Sequence, residues 1–90
     1  MTETRDTMIK RLRMRSMRRG IKEMDLILSA FAAEQLTGFT DEALELYDRL
    51  LTENDHDIYG WIGGQLPVPE AYLDLVTQIS ASAHGVTRPA

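Results

Sequence analysis

The side chains in this chain with the means to do chemistry cluster in one charged run, KRLRMRSMRRGIKEMD, Lys10 to Asp25. Inside it, Arg19, Gly20 and Glu23 form Arg-Gly-x-x-Glu, with Arg15 and Arg18 before it and Asp25 after. An arginine can hold a carboxylate through two parallel hydrogen bonds, which a lysine cannot imitate. A glutamate four residues away on one turn would stand about 6 Å from it at Cβ. Gly20 has no Cβ, so another backbone can come close there. This is recognition chemistry rather than bond-making. The plainer reading is that Gly20 ends a helix and Glu23 offsets a helix dipole.

Other chemistries find little support. His56 and His84 are far apart and belong to no His-Glu-x-x-His pair, so no metal site is expected. Asn54, Asp55 and Asp57 beside His56 suit a helix cap, and DHDIYGWIGG lacks the spacing and closing glutamate of a calcium loop. Gly60, Gly63 and Gly64 do not make a nucleotide-binding fingerprint. Serines 16, 29, 80 and 82 lack a Gly-x-Ser-x-Gly setting. Cysteine is absent, which excludes disulfides and thiolate catalysis. No catalytic residue and no stably bound cofactor is expected.

The 90 residues fit one domain, 1–90, with loose ends at 1–5 and 84–90. A core of this size leaves little room for a large enclosed active site. The net charge of −4 hides an asymmetry. Residues 1–25 hold eight Lys/Arg against four acids, a balance of +4; residues 26–90 hold two against ten, a balance of −8. Either the basic end meets an acidic partner or it folds back on the acidic body. Nucleic-acid binding by a small basic helix is the alternative function, but no aromatic or amide side chains interleave with the cations to read bases. All five methionines lie within residues 1–24, and Met14 and Met17 would suit an adaptable protein contact. No apolar run is long enough to span a bilayer. The N-terminal stretch lacks a secretory core, and Glu3 and Asp6 argue against a mitochondrial presequence. The expected location is therefore the bacterial cytoplasm, ahead of the mitochondrial matrix.

The elements that position these residues read as helices throughout. The first runs over about 6–19, with Ile9, Leu12 and Ser16 on one face, and Gly20 is expected to take the left-handed conformation that ends it. The second, about 21–36, buries Ile21, Met24, Ile27, Leu28, Phe31 and Ala32. Thr40 caps a third, which runs to about Glu53 and buries Ala43, Leu44, Tyr47, Leu50 and Leu51, with Glu42, Glu45 and Asp48 on a solvated face. Asp55 or Asp57 caps a short fourth helix carrying Ile58, Trp61 and Ile62, stopped by Gly63-Gly64. Pro69 opens the last, whose inward stripe is Leu73, Val76 and Ile79 with Tyr72. The fold class is all-α, a compact bundle of about five helices.

Arg19-Gly20-x-x-Glu23 followed by Asp25, together with LYDRLLTENDHDIYGWIGGQLPVP and its Tyr47, Leu50, Leu51, Asp55, Asp57 and Trp61, resembles the succinate dehydrogenase assembly factor 2 family, called SdhE in bacteria. The likeness covers about Arg11 to Val76. It implies a five-helix bundle. It also implies a non-catalytic assembly factor, a chaperone that binds the flavoprotein subunit of succinate dehydrogenase, or of fumarate reductase, and promotes covalent FAD attachment to it. The FAD is held by that client, and the acceptor histidine is the client's. The family's RGxxE surface carries over to Arg19, Gly20 and Glu23. Arg15, Arg18 and Asp25 beside them complete the candidate partner-binding set. The expected partner class is thus a protein, with no nucleic acid and no membrane insertion, bound by a monomer.

Overall fold

The computed structural model describes residues 3–87 of the backbone, and side chains as far as Ala83. Five α-helices follow one another: α1 Arg5–Arg15, α2 Lys22–Gln35, α3 Asp41–Leu50, α4 Asp55–Ile62 and α5 Leu73–Thr87. Short 3-10 turns at Leu36–Gly38 and Glu70–Tyr72 tighten two of the links. No strand occurs among the described residues. The all-α expectation holds.

The helices start where a side chain can take up an orphan amide. Thr4 caps α1 by accepting from Thr7 N–H, and Thr40 caps α3 by accepting from Ala43 N–H at 3.1 Å. At α4 the cap is Asn54, which accepts from His56 N–H at 2.8 Å, and neither Asp55 nor Asp57 serves. Asp55 sits at the first helical position instead, where its charge still meets the positive end of the dipole and its carboxylate is free to turn elsewhere. The reading of residues 1–5 as loose meets a helix that begins at Arg5. Residues 1, 2 and 88–90 lie outside those described, and α5 runs on to Thr87.

Helix periodicity located most of the core. Ile9, Leu12, Met24, Ile27, Leu28, Phe31, Ala32, Leu44, Tyr47, Leu50, Ile58, Val76 and Ile79 are all buried. α2 is the central element and packs most extensively on α5. Phe31 lies 5.8 Å from both Phe39 and Tyr47, centroid to centroid, closing one end of the core. Leu73 departs from its expected inward place: it is half exposed, and Leu75 is buried instead. Tyr72, Leu75, Val76 and Ile79 form one regular helical stripe, and Leu73 lies to one side of it. Gly60 is buried under the Leu66 side chain, and a Cβ there would come within 2.6 Å of Leu66. The absent side chain lets the 63–68 loop close over α4, whose carbonyl at Gly60 accepts from the amides of Gln65 and Leu66.

The basic first helix folds back on the acidic body. Arg11 grips Asp48 on α3 with two parallel bonds of 3.0 and 2.9 Å and holds Glu3 on its other edge. Arg15 also reaches the Asp48 carboxylate, and Arg5 pairs with Asp41 at 2.8 Å. The hydrogen bonds from Arg11 hold the Asp48 carboxyl below its usual range. Asp48 is therefore not the purely solvated residue expected beside Glu42 and Glu45, both of which are exposed. It joins α1 to α3.

Candidate functional site

The corner at Arg19 is built by an early helix stop. α1 ends at Arg15, four residues sooner than its pattern suggested, and Ser16 caps it. Ser16 is fully buried. Its hydroxyl donates to Leu12 O at 2.7 Å and shares a 2.6 Å bond with the Tyr47 hydroxyl. With the Ser16 proton committed to Leu12, the Tyr47 phenol is the donor of that second bond. The chain leaves the helix there because Ser16 satisfies the turn from within and locks it to α3.

Gly20 does not take the left-handed conformation expected of it. Arg18 does, with φ 54°. The amide of Arg18 donates to Asp25 Oδ2 at 3.0 Å, and the Ser29 hydroxyl reaches both Asp25 Oδ1 and Ser16 O. Asp25, half-buried, thus ties the turn to the first coil of α2 and makes the strained position tolerable.

This turn sends Arg19 inward. Its side chain is 12% exposed and that of Asp55 19%. Arg19 Nε donates to Asp55 Oδ1 at 2.8 Å and Nη2 lies 2.7 Å from the same oxygen. The remaining donors reach Arg15 O at 2.8 Å and Leu51 O at 3.1 Å. Those are carbonyls at the C-terminal ends of α1 and α3, groups with no partner inside their own helices. Asp55 stands at the N-terminus of α4. One guanidinium therefore joins three helix ends. The second oxygen of Asp55 accepts from Gly20 N–H at 2.7 Å. Gly20 itself is exposed, and a Cβ there would meet Asp55 Oδ2 at 3.2 Å. A side chain here would push the carboxylate back by a few tenths of an ångström, so the glycine serves this close approach and not a positive φ.

Glu23 lies in the first turn of α2, exposed, and accepts from the Tyr59 hydroxyl. That hydrogen bond raises the Tyr59 phenol above its ordinary range. The expected pairing of Arg19 with Glu23 across one turn does not form. α2 begins only after Gly20, so the two residues do not share a helix. Each instead finds a partner on α4. Asp55 and Tyr59 are four apart on that helix, as Arg19 and Glu23 are four apart in the motif. One face of α4 holds both ends of Arg-Gly-x-x-Glu. The sequence carried this signal only as a matching spacing, thirty-six residues away, with nothing to mark it as a pairing.

Of the six candidate residues, the structure gathers five around the turn. Arg18, Gly20 and Glu23 are exposed, while Arg19 and Asp25 support it from behind. Arg15 points the other way, toward Asp48, although its carbonyl receives Arg19. Asp55, Tyr59 and Ser16 belong to the corner and were not among the candidates. Beside Glu23 and Tyr59 opens a groove of about 740 Å³, lined also by Ile27, Ile62, Val76 and Ser80. No three His, Cys, Asp or Glu side chains gather to hold a metal among the described residues. No described helix is long and apolar enough to cross a membrane.

The fold and this corner define a small helical protein whose charged side chains join helix ends and leave one glycine-lined turn facing outward. Residues 10–83 match the family described as "Flavinator of succinate dehydrogenase", and the chain belongs to that family. It is 46% identical over 70 residues to succinate dehydrogenase assembly factor 2, mitochondrial, of Schizosaccharomyces pombe, covering 78% of this chain and 50% of that protein. The similar protein of Schizosaccharomyces japonicus is 44% identical, covering 96% of this chain and 64% of the relative. Assembly factor 2-A, mitochondrial, of Drosophila yakuba is 39% identical, covering 96% and 57%. The chain thus spans between half and about two-thirds of the length of these relatives. They are assembly factors by name, in keeping with a non-catalytic role.

The expectation of a bacterial cytoplasmic location is corrected. The relatives are named mitochondrial, which points to the mitochondrion. The chain matches only part of its relatives' length, so Glu3 and Asp6 near its first residue carry no information about a leader.

Proposed function

We propose that this protein docks on the flavoprotein subunit of succinate dehydrogenase, or of fumarate reductase, and promotes covalent attachment of the FAD which that subunit holds. The partner surface is the turn carrying Arg18, Gly20 and Glu23, with Arg19, Asp25 and Arg15 as its support. The observation behind this reading is the exposed Gly20, set between two charged residues that α4 holds in place. A preformed turn loses little freedom when it binds. Its open backbone admits a close neighbour, and the exposed Glu23 can exchange Tyr59 for a donor on the client.

The protein acts as a brace. The flavin linkage forms between the client and its own FAD, and the reacting atoms must be held at roughly 3–3.5 Å. A rigid partner that binds the competent arrangement of the client raises its population. The nucleic-acid alternative has less behind it, because Arg5, Arg11, Arg15 and Arg19 are engaged within the chain.

Co-expression with the flavoprotein subunit, followed by denaturation, tests the proposal. Fluorescence that stays with the client polypeptide should rise when the factor is present. It should fall to the factor-free level with Gly20→Asp. Equal covalent flavin with and without the factor would remove the proposal.

A further inference from the structure

The sides of α1 differ in what their side chains meet. Ile9, Leu12 and the following Ser16 are buried. Arg11 and Arg15 turn to Asp48 on α3. At 3.6 residues per turn, Lys10, Arg13 and Met14 occupy the remaining side. Met17 continues this side past the helix end. Met14 is 73% exposed and Met17 48%. Among the described residues, neither Lys10 nor Arg13 enters an ion pair. The Nε atom of Arg13 is buried without an acceptor, beside a cleft of about 220 Å³ that Lys10, Ile9, Asp6 and Thr37 also line.

α2 extends the same surface. Asp25 and Ser29 bond to the 16–18 turn. Lys22 and Leu26 lie next to them around that helix, both exposed. Lys22 likewise has no ion pair. The bordering acids are Asp6, exposed in the first turn of α1, and Asp25, whose carboxylate already accepts two donors.

Two properties of this face set the chemistry of what covers it. Arg5, Arg11, Arg15 and Arg19 have found carboxylates within the chain, whereas Lys10, Arg13 and Lys22 keep unpaired charges on this side, as does Arg18 on the neighbouring turn. Large flexible apolar side chains stand among them, which water-exposed cations alone do not require. A phosphate backbone would satisfy the charges and leave the methionines and Leu26 wet. We infer that the α1–α2 face formed by Lys10, Arg13, Met14, Met17, Lys22 and Leu26 is a second docking surface, and that its occupant is an acidic protein segment carrying an apolar side chain among its carboxylates. The inference rests on the docking proposed above and places that segment on the client flavoprotein subunit.

Binding of the purified subunit to the full chain, measured at low and high salt, tests this. Two double variants are compared with Gly20→Asp: Lys10→Glu with Lys22→Glu, and Met14→Ser with Met17→Ser. All four positions are exposed, so melting should stay near that of the parent. The charge-reversed variant should bind about tenfold more weakly at low salt and lose less at high salt, because screening already weakens the parent there. The methionine variant should lose about as much at both salts, because its contribution is apolar burial. Parent-like binding by both double variants, with Gly20→Asp failing to bind, would overturn this surface and leave the proposed docking intact. Failure of the parent itself to bind the subunit would overturn both. Tighter binding of a labelled DNA duplex than of the subunit, abolished by charge reversal, would assign the face to phosphate and end the proposal for a protein segment.

Discussion

Replacing Asp55 with alanine leaves Arg19 half-buried between two helix ends without its counter-charge, and leaves the amide of Gly20 without an acceptor. The cost should be about 2–4 kcal/mol in urea unfolding, below that of a fully buried pair because both side chains keep some exposure. Asp55→Asn should lie between, since one amide oxygen cannot serve both donors. Unchanged unfolding in Asp55→Ala would show that the guanidinium re-pairs with the carbonyls at no loss. Gly20→Asp acts on the same carboxylate: its new Cβ meets Asp55 Oδ2, and its charge competes for Arg19. A measurable fall in stability should therefore accompany its loss of docking. Arg18→Gly should work in the opposite direction. A non-glycine residue at φ 54° bears a penalty of roughly 1 kcal/mol, so this variant should melt at a higher temperature. The residue types of Arg19, Gly20 and Glu23 marked the proposed docking turn in the sequence. Which of them faces outward depended on an acid thirty-six positions away and could not be read from the local pattern.

Each helix boundary has a local cause that tolerates separate testing. Asn54→Ala removes the α4 cap and should lower stability by about 1 kcal/mol. It should also reduce docking more than Thr40→Ala does at α3, because α4 carries both Asp55 and Tyr59 while the α3 cap is remote from the turn. Equal effects on docking would deny α4 its role as the template. At this scale the sequence was most informative. The faces of α2 and α3 followed from apolar spacing alone, since burial on a helix repeats every three to four residues. It was least informative at α1 and α5. The stop of α1 at Arg15 depends on Ser16 bonding across the core to Tyr47, and Leu73 lies to one side of the buried stripe of Tyr72, Leu75, Val76 and Ile79.

For the whole molecule, charge and burial set the pH range of stability. Burial pushes the Tyr47 phenol from an ordinary 10.0 up to about 12. An acid whose folded value is raised contributes stability that is complete below its unfolded value and declines above it. Stability should therefore fall between pH 10.0 and about 12, and Tyr47→Phe should flatten that decline while weakening the hold on Ser16. Asp48 runs the other way. Its value is lowered by Arg11, so its contribution is present above the ordinary 3.8 and is lost as pH falls through the folded value. Denaturant midpoints taken across both ranges, in parent and variants, check both signs. The amino-acid order by itself determined an all-helical chain and the inward faces of most helices, because periodicity and glycine placement act over a few residues. Tertiary structure decided that the basic helix folds back on α3, that Arg18 takes the left-handed turn, and that Arg19 and Glu23 are held apart by one face of α4. The first and last of those outcomes depend on pairings between residues more than thirty positions apart, where geometry chooses among the carboxylates and hydroxyls of the acidic body, while the Arg18 turn depends on Asp25, seven positions on, being brought back to its amide.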